Sequence, residues 1–519
     1  MMLMSARVGS LAIACLIAAV FPAIASAQRS LPSEQPKLVL GIVVDQFRYD
    51  YLTRFETELD GGIGRLLDEG AVFTNANYDA TPTVTAVGHS TFLSGAMPSV
   101  SGIVGNSWYD RGTGSGVESI TDNEVQLLGG RGNGASPRRL QVSTIGDELK
   151  LSGRGGKVVG VSLKNRAAIL PSGHMADGAY WTDGQGNFVS STYYFDSLPK
   201  WVQQFNASDP ARECLGLHWA GGTLPSEESR AFYSRLDASP CGDMLVQKMA
   251  LDALESEDLG TDDSIDLLTV SYSSIDYVGH QLGPDSPEIH DMVLRVDDLI
   301  GELINAAEQR TGEGNVLVVL TADHGVAPVP EVNQQRKMPG GRIPVSEILA
   351  ALNPAISAKF GDGKFLASIS SEGIYFSEDA LAANRSVRRE ELENLVANVL
   401  RAQPHIARAY TRTELLGGAG GGDDIDRKVR NGFHPARSPD VVVVLDPYYL
   451  TSAGGTTHGS PYEYDTHVPV IFWDSGNLVE PGHYPRPVGI EDIAPTLATM
   501  LGIQTPSGAM GEPLREVLP

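Results

Sequence analysis

Three segments of this chain place acids and imidazoles directly after apolar runs. Asp45 ends Val39-Leu-Gly-Ile-Val-Val-Asp45, Asp276 and His280 follow Leu267-Leu-Thr-Val-Ser-Tyr272, and Asp323-His324-Gly325 follows Val316-Leu-Val-Val-Leu-Thr-Ala322. One carboxylate after a strand is more often a helix cap or turn residue than a ligand. Three such clusters, two of them with histidine, exceed that explanation. Mixed nitrogen and oxygen donors are what a catalytic zinc takes while keeping a position open for substrate. Asp276 and His280, four residues apart, can meet on one helical turn and share an ion. Asp323 and His324 point in different directions and can hold a second ion or orient the first. His458, in Thr456-Thr-His-Gly-Ser-Pro-Tyr-Glu-Tyr-Asp-Thr-His467, is a further donor, and His467 stands evenly between supporting a ligand and plain structure. Thr81, Thr83 and Thr85 offer competing hydroxyls ahead of His89, and residue type alone does not choose among them. Lys164-Asn-Arg166 by itself reads as a solvated surface pair.

The elements that must position these residues are legible as a pattern. Short β-branched runs bounded by polar turns recur at Leu38–Val44, Val158–Val161, Leu267–Val270, Val316–Leu320, Val441–Leu445 and Val468–Phe472, each reading as a buried strand of a largely parallel sheet. Helical patterns alternate with them. The clearest runs from Pro287 to about Gln309, capped by Ser286, with Val293, Val296, Ile300, Leu303 and Ile304 on one stripe. This alternation predicts an α/β sandwich with helices on both faces, and carboxyl ends of parallel strands are where such folds place their sites. Residues 170–260 and 325–435 lack the regularity and read as insertions capping one catalytic domain.

The amino terminus bears on compartment. Arg7 precedes an apolar run from Val8 to Ile24 that ends in Ala25-Ser26-Ala27, which reads as a signal peptide over residues 1–27 cleaved after Ala27. The mature chain is then 28–519, bound for the periplasm or the extracellular medium, with no membrane anchor. Cleavage leaves two of the three cysteines, Cys214 and Cys241, and one local disulfide is expected. Net charge is −25 at pH 7 and no Lys/Arg cluster interrupts it, which disfavours a nucleic-acid groove. An anionic substrate must therefore be drawn by something local, such as bound metal.

These residues resemble the alkaline phosphatase superfamily, and within it the secreted bacterial phosphatases with a threonine nucleophile. The resemblance spans nearly the whole mature chain in order: Val44-Asp-Gln-Phe-Arg48, Thr85-Ala-Val-Gly-His-Ser90, Gly105-Asn-Ser-Trp-Tyr-Asp110, Lys164-Asn-Arg166, Asp276-Tyr-Val-Gly-His280, Ala322-Asp-His-Gly325 and Thr457 to His467. It implies the alkaline-phosphatase-like sandwich and two zinc ions per subunit. One ion would be held by Asp276, His280 and His458, the other by Asp45, Asp323 and His324, with the nucleophile Thr85 also on the second. It further implies that Asn106, Lys164 and Arg166 address the phosphate oxygens and that His89 is structural. Lys164 and Arg166 point to phosphate monoesters, whose dianion rewards extra cations.

A phosphodiesterase or nucleotide pyrophosphatase of the same superfamily is the nearest alternative, but that branch carries Thr-Phe-Pro-Asn-His where this chain has Thr85-Ala-Val-Gly-His89. Val87 departs from the proline common to both branches. A non-catalytic secreted metal-binding protein is the alternative of another class, and the full set of candidate ligands beside Thr85 argues against it. The acidic stretch 421–424 is a candidate for an additional calcium ion. Monomer and dimer both remain open.

Overall fold

Seven consecutive buried residues, Leu38–Val44, form β1, and a strand apolar on both faces belongs at the centre of a covered sheet. The structure is a computed structural model describing residues 35–418, 422–476 and 478–518. The expected leader 1–27 and Gly421 of the acidic stretch lie outside the described residues. β1 is flanked by β2 (Gly155–Ser162), β3 (Ile265–Tyr272) and β4 (Val316–Thr321) in the order β4-β1-β3-β2, all parallel, and Gly178–Thr182 continues parallel beside β2. Mostly antiparallel pairings extend this heart on both sides, to eleven strands among the described residues. Register pairs Val43 with both Ser271 and Thr321, so β1, β3 and β4 release the chain at one edge of the sheet.

Helices cover both faces. One layer holds α1 (Thr85–Ser94) with Ile145–Ser152 and Ile493–Leu501; the other holds α2 (Ser274–Leu282) and α3 (Pro287–Thr311) with Gly62–Glu69 and Pro240–Ser256. α3 begins where expected, with Ser286 Oγ accepting from Ile289 N. It buries the anticipated stripe and ends at Gly312, whose φ of 86° lies in the left-handed region.

Two strand expectations need correction. Val441–Leu445 is not in the main sheet; it lies in a separate four-stranded antiparallel sheet with Leu366–Ile369, Gly373–Phe376 and Ile406–Thr411. Helices Val345–Phe360 and Arg389–Arg401 supply the core of this cap through Leu352, Ile356, Leu392, Val396 and Leu400. The other run is β5 (Val470–Asp474), which joins the main sheet antiparallel to β4. Apolar β-branched runs report burial, and burial carries neither strand direction nor sheet membership.

Within residues 170–260, Gly178–Thr182 and Phe188–Ser191 extend the main sheet, and Pro240–Ser256 packs on β3. Cys214 and Cys241 form a disulfide that ties the Pro210–Cys214 turn to the first turn of that helix. Among the described residues no helix is long and apolar enough to cross a membrane.

Candidate active site

Each strand end delivers a ligand-type residue to the same place. β1 passes into Asp45, β3 into α2 with Asp276 in its first turn and His280 one turn later, and β4 into Asp323 and His324. α1 starts at Thr85 after an extended Val84. It lies so near the β4 exit that a Cβ at Gly88 would stand 2.2 Å from Asp323 O. Glycine at 88 thus permits the approach that brings Thr85 Oγ1 to 3.5 Å from His324 Nε2.

The three imidazoles are oriented alike. Each Nδ1 donates to a main-chain carbonyl: His280 to Thr456 O at 2.9 Å, His324 to Gly325 O at 2.9 Å and His458 to Thr83 O at 2.8 Å. This tautomer leaves each Nε2 with a lone pair, as metal-ligating imidazoles require. His280 Nε2 and His458 Nε2 lie 3.1 and 3.7 Å from Asp276 Oδ1, while His324 Nε2 lies 3.2 Å from Asp323 Oδ2 and 3.6 Å from Asp45 Oδ1. The His324 and His458 rings stack with centroids 3.5 Å apart, joining the two groups. Donor atoms of Asp276, His280 and His458 lie within 4.8 Å of one another, as do those of Asp45, Asp276 and His324, so Asp276 stands within reach of both positions.

Electrostatics favour a cation here. Burial holds the His458 and His324 pKa values below the ordinary value, keeping both rings neutral. Burial also pulls His280 down, but the negative charge of Asp276 beside it outweighs that and the net shift is upward. Burial, reinforced by Asp323, pushes Asp45 well up. For Asp276 and Asp323 burial acts upward too, yet Lys164 and His324 respectively help hold them low. Lys164 Nζ donates to Asp45 Oδ2 and Asp276 Oδ2, both at 2.6 Å. Burial opposes its charge, and these two acids overcome that and raise its pKa. One ammonium among three buried carboxylates leaves excess negative charge, which is costly to bury unless paired. Asp45 Oδ1 and Asp323 Oδ2 are buried without a hydrogen-bond partner. Unpartnered oxygens facing unprotonated Nε2 atoms form a donor set that fits zinc.

Asn106 Oδ1 accepts from Ala86 N at 2.8 Å, which anchors the side chain at the start of α1. Arg166 has a buried Nε without a partner and lines, with Lys164, Asn165, Trp181 and Tyr277, a cleft at the carboxyl end of β2. His89, expected to be structural, lies with Nδ1 2.9 Å from Thr85 O and 3.4 Å from Asp323 Oδ2, and with Nε2 2.8 Å from Ser271 Oγ. His467 stacks on Tyr49 at 4.3 Å and donates through Nε2 to Thr74 O; its contacts are not with the ligands. In the acidic stretch, Asp423 caps the Asp424–Gly432 helix and Asp424 pairs with Arg427 and Lys428.

Two residues at the site carried no ligand signal in the sequence. Gln46 donates to Asp276 Oδ1 through Nε2 at 2.5 Å, and its main-chain N donates to Asp323 Oδ1 at 3.1 Å. Asp243, on the Pro240–Ser256 helix, accepts from the main-chain N–H groups of Ser273 and Ser274 where α2 begins. An isolated amide and an acid in the first turn of a helix have no diagnostic spacing. Gln46 was marked only as part of the Val44–Arg48 segment, next to Asp45.

Comparison with known proteins agrees with this geometry. Residues 39–467 match the family model described as type I phosphodiesterase / nucleotide pyrophosphatase. Alkaline phosphatase PafA of Elizabethkingia meningoseptica is 36% identical, covering 95% of this chain and 96% of its own. Alkaline phosphatase PhoV of Synechococcus elongatus is 35% identical, covering 93% of each. The crystal structure of wild-type PafA has a TM-score of 0.87 at 35% identity, covering 93% of this chain and 99% of that one. A PafA variant in which a threonine became serine, and an asparagine, a lysine and an arginine became alanine, has a TM-score of 0.86 over the same shares. On the extent of the family match and of these relatives, the chain belongs to the type I phosphodiesterase / nucleotide pyrophosphatase family.

Proposed function

We propose that this alkaline phosphatase hydrolyses phosphate monoesters through a covalent phosphothreonine at Thr85, with broad tolerance of the leaving alcohol. The observation that carries this is the hydroxyl of Thr85, at the first residue of α1, 3.5 Å from His324 Nε2 and beside three buried aspartates and three oriented imidazoles. Two zinc ions, one on Asp276, His280 and His458 and the other on Asp45, Asp323 and His324, would supply the Lewis acidity that lowers the hydroxyl's pKa and stabilises the leaving oxygen.

The chain's own groups do the rest. Thr85 Oγ1, having lost its proton to solvent, forms a bond to phosphorus as the bond to the leaving oxygen breaks, and the alcohol departs with a proton from solvent. Water then attacks phosphorus from the vacated side, the Oγ1–P bond breaks, Oγ1 takes up a proton to restore the threonine, and inorganic phosphate is released. Two in-line displacements retain configuration at phosphorus. At the start of α1 the Ala86 N–H is taken by Asn106 Oδ1, and the helix end would favour negative charge on the transferring group through its dipole. The Asn106 amide and the Arg166 guanidinium would donate to that group's non-bridging oxygens, with Lys164, held between Asp45 and Asp276, adding positive charge. The four residue types altered in the PafA variant stand in the same order here as Thr85, Asn106, Lys164 and Arg166, which supports assigning them to one machinery.

Export to the periplasm or medium is supported by the Ala25-Ser26-Ala27 leader and by the Cys214–Cys241 disulfide, a bond that persists in oxidising compartments. The test is paired turnover of a phosphate monoester and a matched diester by zinc-replete wild type and Thr85→Ala. Monoester preference by several orders of magnitude that vanishes in the variant is expected. Diester preference would assign the protein to the phosphodiesterases of the family, and full activity in Thr85→Ala would mean another nucleophile.

A further inference from the structure

Gln46 follows Asp45 with φ at 64° and is fully buried. Residues with a side chain enter the left-handed region at a cost, and those that do are mostly Asn and Asp. At this position the turn aims two donors at once. The main-chain N–H reaches Asp323 Oδ1 at 3.1 Å, while the side chain crosses to Asp276 Oδ1 at 2.5 Å. Asp276 Oδ1 is the oxygen that also faces His280 and His458, since Lys164 takes Oδ2. The amide nitrogen must be the end that meets Asp276, because an ionised carboxylate only accepts. That leaves Gln46 Oε1 buried and without a partner. A side chain present only to fill space would not carry such an orphan, since an apolar residue of the same size would avoid it. Room for the amide comes from Gly279 in α2, where a Cβ would stand 1.9 Å from Gln46 Oε1.

We propose that Gln46 is a positioning residue that couples the two ligand sets, fixing Asp323 through its main chain and Asp276 through its side-chain amide, with Gly279 as the space that admits it. The proposal rests on the two-zinc reading above. Loss of the amide frees Asp276 to rotate away from His280 and His458. Outer-shell partners of this kind are worth about 10- to 100-fold in metal affinity.

The experiment compares wild type, Gln46→Met, Gly279→Ala and the double variant, each loaded with zinc, for metal content and for zinc release to a competing chelator. Gln46→Met keeps side-chain length and the main-chain donor to Asp323. Gly279→Ala leaves Gln46 in the sequence and suits a helix, so it serves if the first variant folds poorly. Wild type is expected to hold two ions. Each single variant is expected to release one of them about 10- to 100-fold more readily, with kcat reduced and partly restored by excess zinc. Melting temperatures of the metal-free proteins should match wild type. The double variant is expected to be no worse than the more affected single, because both substitutions remove one contact. Wild type that binds no zinc would overturn the two-ion reading and this proposal with it. Two ions in wild type and unchanged release from both single variants would overturn the proposal alone, as would a kcat loss that excess zinc leaves untouched.

Discussion

The hydroxyl of Thr85 and the guanidinium of Arg166 are expected to fail in different ways when removed. On the proposed mechanism Thr85→Ala deletes the attacking atom, so kcat/KM for a monoester is expected to fall by at least about 1,000-fold. On the same proposal Arg166→Ala leaves the nucleophile and removes a donor to the transferring group, for a loss of about 100- to 1,000-fold on a monoester and a smaller one on a diester. Steady-state kinetics on both substrate types checks each, and equal losses on monoester and diester would sink the role given to Arg166. Aspartates and histidines of the site were legible because those types directly after strands are rarely accidental in number. Lys164 was legible only by resemblance, since a Lys-x-Arg pair usually faces solvent, yet here the ammonium is buried between Asp45 and Asp276. Gln46 was not legible, because its role depends on a backbone conformation that no hydropathy pattern encodes.

Elements set how tightly those residues meet. α1 is seated against the β4 exit, and Gly88→Ala would drive a methyl group into Asp323 O. Overpacking of this kind costs about 1–3 kcal/mol. Because the displaced atoms belong to Asp323 and the Thr85 turn, activity is expected to fall more than stability; denaturant melts beside turnover separate the two. A Gly88→Ala enzyme with normal kcat would show that the helix can retreat without harm. β1, β3, β4 and α3 were readable in the sequence because each concentrates apolar residues on a clear period. The Val441–Leu445 strand carries the same signal, but its neighbours Gly373–Phe376 and Ile406–Thr411 are too short to announce a sheet of their own, so its partners emerge only from the fold. The direction of β5 was equally hidden, as no side chain records which way a buried strand runs.

For the whole molecule, pH stability reports a group outside the site. Glu491 is buried with Oε2 unpartnered, and burial pushes its pKa from the ordinary 4.5 up to about 8. The folded protein holds this proton more tightly than the unfolded chain does. Its contribution is therefore fully present below about pH 4.5 and is lost as pH rises toward 8, by roughly a few kcal/mol. Glu491→Gln is expected to melt like wild type at pH 5 and at a higher temperature at pH 9; parallel melting curves at both pH values would discard this assignment. The disulfide closes a loop of 27 residues, and replacing both cysteines by serine is expected to lower stability by roughly 3 kcal/mol in a denaturant titration.

The three imidazoles owe their aim to carbonyls of Thr83, Gly325 and Thr456, atoms that every residue possesses. Substituting those side chains leaves each acceptor in place. Asp45 and Asp276 lean instead on replaceable groups, the Lys164 ammonium and the Gln46 amide, while Asp323 takes the main-chain N–H of Gln46. Tolerance to random mutation is therefore lopsided: the nitrogen half of the site is insured by the path of the chain, and genetic drift can erode the oxygen half one codon at a time.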